Sequence, residues 1–238
     1  MEDQSDKARN SNQIKVIMVG SMAVGKTCLI AHYQSGKFLS DLPSTSGSSY
    51  VQIKKVINGK KYNLNLWDTA GQEKYDSLTK IFTKNANIII LVYSIVDKKS
   101  FAALDKWLNL VKETNNEEDF VLGIAANKSD LYKQYEVSDN QGKEYAKKNK
   151  AIWKSTSAKE GDKGIEELID ELLRIYLETK RNNINSDNIQ LGSEHSKSKD
   201  HGCCKGGNKK KKKGMAQNDR NYSKVSNLSN TKDEEEDF

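Results

Sequence analysis

The sequence predicts an α/β fold in which a mixed, mostly parallel sheet carries helices on both faces and one antiparallel edge strand. Three observations lead there. Near-continuous apolar runs of strand length alternate with amphipathic helical patterns, two period-2 segments flank Asn58-Gly59, and a glycine-bearing turn separates the first apolar run from the first helical one. All three lie within residues 13–181 of the 238-residue chain.

Residues 1–12, MEDQSDKARNSN, are polar and are expected to form a flexible N-terminus. IKVIMVG (14–20) then reads as a buried strand and GKTCLIAHYQ as the helix after it. In YVQIKKVINGKKYNLNLWD, Asn-Gly accepts positive φ at both central positions, so the two flanking segments form a tight hairpin with a type I′ turn. IIILVYS (88–94), FVLGIAAN (120–127) and AIWKS (151–155) read as further buried strands. SFAALDKWLNLVKET is a helix with Ser100 at its N-cap and Phe101, Leu104, Leu108 and Val111 on one stripe. GIEELIDELLRIYLETKR closes the domain with Ile165, Leu168, Ile169, Leu172 and Tyr176 repeating in the same way.

Beyond Arg181 the composition changes. Only six of the 57 residues in 182–238 are Ile, Leu, Val or Phe, too little apolar surface to offset the entropy of ordering, so this segment is expected to be a disordered tail. Net charge is +6, spread over both parts, and does not call for nucleic acid. Within the tail, however, six lysines fall in Lys205–Lys213, whereas Asp233–Asp237 is wholly acidic. Three cysteines, no secretory apolar stretch at the start and no apolar run approaching 18 residues point to a reduced, intracellular, non-spanning protein. Glu at position 2 rules out N-myristoylation.

Chemistry enters with GSMAVGKT, Gly20 to Thr27, which fits G-x-x-x-x-G-K-[ST] between a strand and a helix. Gly20, Met22, Ala23, Val24 and Gly25 form the turn whose backbone N–H groups wrap phosphates. Lys26 reaches the β and γ oxygens, the Thr27 hydroxyl ligates Mg2+, and Cys28 follows in the first helical turn. NKSD, Asn127 to Asp130, selects the base. A carboxylate accepts two hydrogens that guanine offers and adenine does not, while the Lys128 stem lies over the ring. In TSAK, Ser157, Ala158 and Lys159 complete the base end, with the Ala158 N–H directed to the guanine O6. WDTAGQE ends the hairpin: Asp68 is placed to hold Mg2+ through water, the Gly71 N–H to meet a γ-phosphate, and Gln72 to orient an attacking water.

These motifs, in this order, resemble the Ras-like small GTPases, and within them the Rab family. The resemblance covers residues 13–181 as a P-loop GTPase G domain and implies a six-stranded sheet binding GTP/GDP and Mg2+ at its strand ends. It further implies that Thr45 adds a second Mg2+ hydroxyl and that Phe38 packs against guanine. Slow GTP hydrolysis, with Gln72 and Lys26 catalytic, would be stimulated by a GTPase-activating protein (GAP). An exchange factor, effectors and a GDP-dissociation inhibitor would be the other partners, the chain itself remaining monomeric. NLNLWDTAGQE, DSLTKIFTKNA and LVYSIV carry the Rab likeness. Tyr50, Trp67 and Phe82 fall where Rabs display an aromatic triad to effectors, although edge or core packing would account for them equally.

Two positions depart from the family. Thr45-Ser-Gly-Ser-Ser-Tyr50 is more polar than the usual first switch, and Met22 stands where the family carries a small or short polar residue. Met22 either crowds Gln72 and an incoming arginine, slowing turnover, or folds away over the loop. The tail leaves a further question. Cys203 and Cys204 precede a lysine run but are not terminal, and Asp237-Phe238 provides no C-a-a-X box, so S-acylation with a basic assist is expected rather than prenylation. Such a tail would dock on the cytoplasmic face of endomembranes; unmodified cysteines are the plainer alternative. A soluble, Ran-like nuclear-transport GTPase and a non-cycling nucleotide-bound scaffold are the competing functions.

Overall fold

The computed structural model describes residues 12–39, 42, 45, 48–71, 76–161 and 163–192, with Asp76 and 183–192 described by backbone alone. In chain order the elements are β1 (Gln13–Val19), α1 (Lys26–Ser35), β2 (Ser48–Ile57), β3 (Lys60–Thr69), α2 (Asp76–Thr83), β4 (Ile88–Ser94), α3 (Lys98–Ala102), α4 (Leu104–Lys112), β5 (Val121–Asn127), α5 (Asp139–Lys148), β6 (Ile152–Ser155) and α6 (Gly164–Gly192). The six strands form one sheet in the order β2-β3-β1-β4-β5-β6, parallel throughout except for the antiparallel β2–β3 pair. Asn58 and Gly59 take φ of 49° and 75°, as a type I′ turn requires, and so the hairpin's register is fixed locally.

Strand period two divides the apolar residues between two cores. Ile14, Val16 and Met18 of β1 and Ile88, Ile90 and Val92 of β4 face the side covered by α1 and α6. Ile17, Val19, Ile89, Leu91 and Tyr93 face the side covered by α4 and α5. β4, central and covered on both faces, is buried at all seven positions, which is why its sequence is continuously apolar. On the first face α6 lies so close to β5 that a Cβ at Gly123 would run into Leu172.

Helix α6 also holds both edges of the sheet. Lys55 of edge strand β2 lies 3.2 Å from Glu166 and 2.8 Å from Asp170, and Lys154 of edge strand β6 lies 3.2 Å from Glu167. Burial opposes the charge on Lys55, yet its hydrogen bond to Asp170, with Tyr33 and Glu166 nearby, leaves the ammonium above its ordinary range. These pairs are partly solvated and contribute modestly; their effect is to seat the helix across the sheet.

Several sequence expectations change. Ser100 is not the N-cap. Asp97 is, its carboxylate accepting from the N–H groups of Lys99 and Ser100, while Ser100 lies buried in the first turn and its Oγ accepts from the Ser94 N–H. The helix is interrupted at Ala103, and Trp107 and Leu110 join the apolar stripe. β6 is half-buried because it is an edge. α6 continues through Gly192, past the Arg181 limit read from composition. Among the described residues no helix is long and apolar enough to cross a membrane.

Leu172 is fully buried on α6. Leu172→Ala should lower unfolding free energy by about 2–5 kcal/mol with unchanged denaturant slope, measured by urea titration. A loss below about 1 kcal/mol would show that α6 is not a core element.

Candidate nucleotide-binding site

Parallel strands deliver their C-terminal ends to one edge of the sheet, so the segments after β1, β3, β5 and β6 converge although they are distant in sequence. Together they line a cavity of about 570 Å³, within the range of small-molecule sites. Its first wall is Met22, Ala23, Gly25, Lys26 and Thr27, the turn before α1 and that helix's first residues. Ala23 sits at φ 61°, bending the backbone there. The Lys26 ammonium donates to the carbonyls of Gly20 (2.8 Å) and Ser21 (2.9 Å). Burial pulls it down to about 8 against the charge of Asp68, and a phosphate at this wall would favour the charged form.

At the inner corner three oxygens meet. Thr27 Oγ1 donates to Asp68 Oδ2 at 2.6 Å, and Thr45 Oγ1 lies 2.9 Å from Thr27 Oγ1 and 3.1 Å from the same carboxylate oxygen. Burial raises the Asp68 carboxyl against the hydrogen bond from Thr27 and the Lys26 charge. Its second oxygen, Oδ1, is buried without a hydrogen-bond partner. A hard cation with its coordinated water would serve that oxygen and the two hydroxyls, so the residues fit Mg2+. Among the described residues no three His, Cys, Asp or Glu cluster as a self-sufficient metal centre, so a cation here would depend on ligand oxygens as well.

The opposite end is built from Asn127, Lys128, Asp130, Ala158 and Lys159. Ser157 lies behind it, fully buried. Its Oγ donates to Asp130 Oδ1 at 2.7 Å and accepts from the N–H groups of Lys159 (3.2 Å) and Glu160 (3.1 Å), fixing the carboxylate's aim. Asn127 joins the two ends: its Nδ2 donates to the Val24 carbonyl at 2.7 Å, and its Oδ1 accepts from Thr156 at 3.4 Å. Phe38 and Cys28 border the same cavity; burial pushes the Cys28 thiol up, and it stays free. Gly71 meets the phosphate-loop backbone so closely that a Cβ would strike Ser21 and Met22, which is the physical need for glycine there.

The structure thus brings the sequence-assigned residues together, with Gly20, Val24, Asp68 and Ser157 behind the wall rather than on it. Gln72, Cys203 and Cys204 lie outside the described residues. Leu42, Thr69 and Leu131 line the cavity and were not read from the sequence. Leu131 was within reach, directly following NKSD; Leu42 carries no signal of its own. The aromatic residues are in continuous contact, with Tyr50 tilted on Trp67 (centroids 5.3 Å apart) and Trp67 stacked on Phe82 (5.7 Å). Tyr50 is 48% exposed, so the cluster is presented to solvent at one end.

Comparison with known proteins agrees with this geometry. The family model described as the Ras family matches residues 15–178. The chain is similar to human Ras-related protein Rab-30, 32% identical over 170 residues that span 71% of this chain and 83% of that one. To Ras-related protein Rab-11B of Dictyostelium discoideum it is 35% identical over 189 residues, 75% and 85% of the two chains. To bovine Ras-related protein Rab-21 it is 38% identical over 172 residues, 72% and 77%.

If Asp130 reads the base, Asp130→Asn should weaken guanine-nucleotide binding by about a hundred-fold or more, because a buried donor then faces guanine donors. Xanthine nucleotide, with a carbonyl where guanine has its amine, should gain affinity in the same competition assay. Unchanged preference for guanine would remove Asp130 from that role.

Proposed function

The chain belongs to the Ras family of small GTPases, in its Rab branch, and from that premise we propose how its residues divide the work of a membrane-trafficking switch. It binds guanine nucleotide, hydrolyses GTP to GDP and phosphate, and acts through regulators and effectors. The observation that carries the residue assignment is the meeting of the Lys26 turn, the Thr27–Thr45–Asp68 corner and the Asp130–Ser157 pair around one cavity.

In this reading the backbone of Gly20–Gly25 and the Lys26 ammonium hold the β and γ phosphates, Lys26 using the N–H donor that its two carbonyl partners leave over. Thr27 and Thr45 would hold Mg2+ through their hydroxyls and Asp68 through a water, and the ion would supply positive charge against the phosphates. Lys128, Asp130, Ala158 and Phe38 bind guanine. Gln72 orients the attacking water. No arginine stands in the motifs, so unassisted turnover is slow and a GAP-supplied arginine adds about 10³–10⁵ in rate. Loss of γ-phosphate releases Thr45 and Gly71, and the polar first switch loosens from the corner it shares with Thr27 and Asp68.

Met22 is 54% exposed, lines the cavity together with Thr45 and meets Gly71 through its backbone, which supports its crowding the hydrolytic side rather than folding away. The contiguous Tyr50, Trp67 and Phe82 serve as the effector platform. Cys203 and Cys204, acylated beside Lys205–Lys213, hold the chain on the cytoplasmic face of an endomembrane, from which a GDP-dissociation inhibitor returns it to the cytosol. The relatives compared are Rab proteins, which favours trafficking over the nuclear-transport reading.

Single-turnover hydrolysis tests the chemistry. Wild type should be slow, Gln72→Leu slower by about ten-fold or more, and Met22→Ser faster than wild type alone and with a GAP. A Met22→Ser rate no higher than wild type would discard the crowding role; an unaffected Gln72→Leu would discard the glutamine. For the tail, hydroxylamine-sensitive acyl labelling of the full chain should vanish in a Cys203→Ser, Cys204→Ser double variant, and labelling that persists would place the modification elsewhere.

A further inference from the structure

We infer that Trp107 is a positioning residue for the phosphate loop, acting through Ser21 to slow nucleotide release. Trp107 belongs to α4 and is 2% exposed, yet its ring is not simply core. Its Nε1–H donates to Ser21 Oγ at 3.4 Å, across 86 residues of sequence. Ser21 is the second residue of the loop, and its peptide is used three ways at once. Its carbonyl accepts from the Lys26 ammonium at 2.9 Å, its peptide toward Met22 packs against the Gly71 backbone, and its hydroxyl receives the indole.

The physical sense lies in rigidity. A loop that binds phosphate through backbone N–H groups holds its ligand only as well as those groups are fixed beforehand. Asn127 fixes the loop at Val24, three residues after Ser21, and the indole fixes it at Ser21. α4 is anchored in the core by Leu104, Leu108, Leu110 and Val111, so its indole transmits core stiffness to the half-buried start of the loop. A buried indole N–H also needs an acceptor, and Ser21 supplies it; each group therefore constrains the other.

The assignment rests on guanine nucleotide occupying the cavity, and the experiment separates the two claims. Release of the fluorescent nucleotide mant-GDP from the full chain is followed in wild type, Ser21→Ala, Trp107→Phe and the double variant. Each single variant should release it about three- to ten-fold faster, and the double variant no faster than the faster single, since both remove the same bond. Ser21→Ala removes one half-buried loop hydroxyl and keeps the core, so it remains informative even if Trp107→Phe fails to fold. A wild-type release rate in Ser21→Ala, or rate increases that multiply in the double variant, would overturn the inference while leaving the nucleotide site standing. Wild-type protein that binds no mant-GDP would overturn both.

Discussion

The hydrogen bond from Asn127 Nδ2 to the Val24 carbonyl, 2.7 Å long and spanning 103 residues, is the contact on which the site's geometry depends. It ties the end of β5 to the turn after β1, so the two ends of the cavity keep a fixed separation. Both groups are buried, where a hydrogen bond is hard to replace by water and costly to leave unmade. Thr156 holds the same side chain from β6, which brings a third strand into register with the first two. A nucleotide is then met by a frame rather than by four independent loops.

Against that frame the switch elements are lightly held. Thr45 reaches the inner corner through one hydroxyl, and Gly71 through a backbone approach that any side chain would block. Interactions of that kind are made or lost with a single charged group at the corner, which suits a two-state device. The stable side of the molecule lies elsewhere: α6 spans the sheet and pairs with a lysine on each edge strand, leaving the ligand edge free to respond.

Much was legible beforehand because it is local. β4 read as a strand from the apolar run Ile88–Tyr93, and Asn58-Gly59 gave the turn because both residues take positive φ readily. What escaped was also physical. α5 is strongly polar, and its apolar stripe is short; the signal present was Ser138-Asp-Asn-Gln141, whose side chains do form a reciprocal capping box. Ser100 misled because its hydroxyl could cap a helix in isolation, but a carboxylate three residues earlier does it with two N–H groups and frees the serine for Ser94. AIWKS looked fully buried because apolarity does not distinguish an edge from a centre.

For the site, residue types at fixed spacing were enough to propose a phosphate turn, a base reader and a place for Asp68, since each motif is contiguous and its chemistry is set by neighbours in sequence, whereas Thr45 came only from the family resemblance. The pairings between motifs were not readable. Ser157 on Asp130, Thr45 on Asp68, and Trp107 on Ser21 join segments 27, 23 and 86 residues apart, and nothing in the spacing selects them. The sequence by itself determined which groups this protein would present to a nucleotide. Only the tertiary structure decided how firmly each is held, because that depends on sheet order and helix placement, which bring together side chains that no local pattern relates.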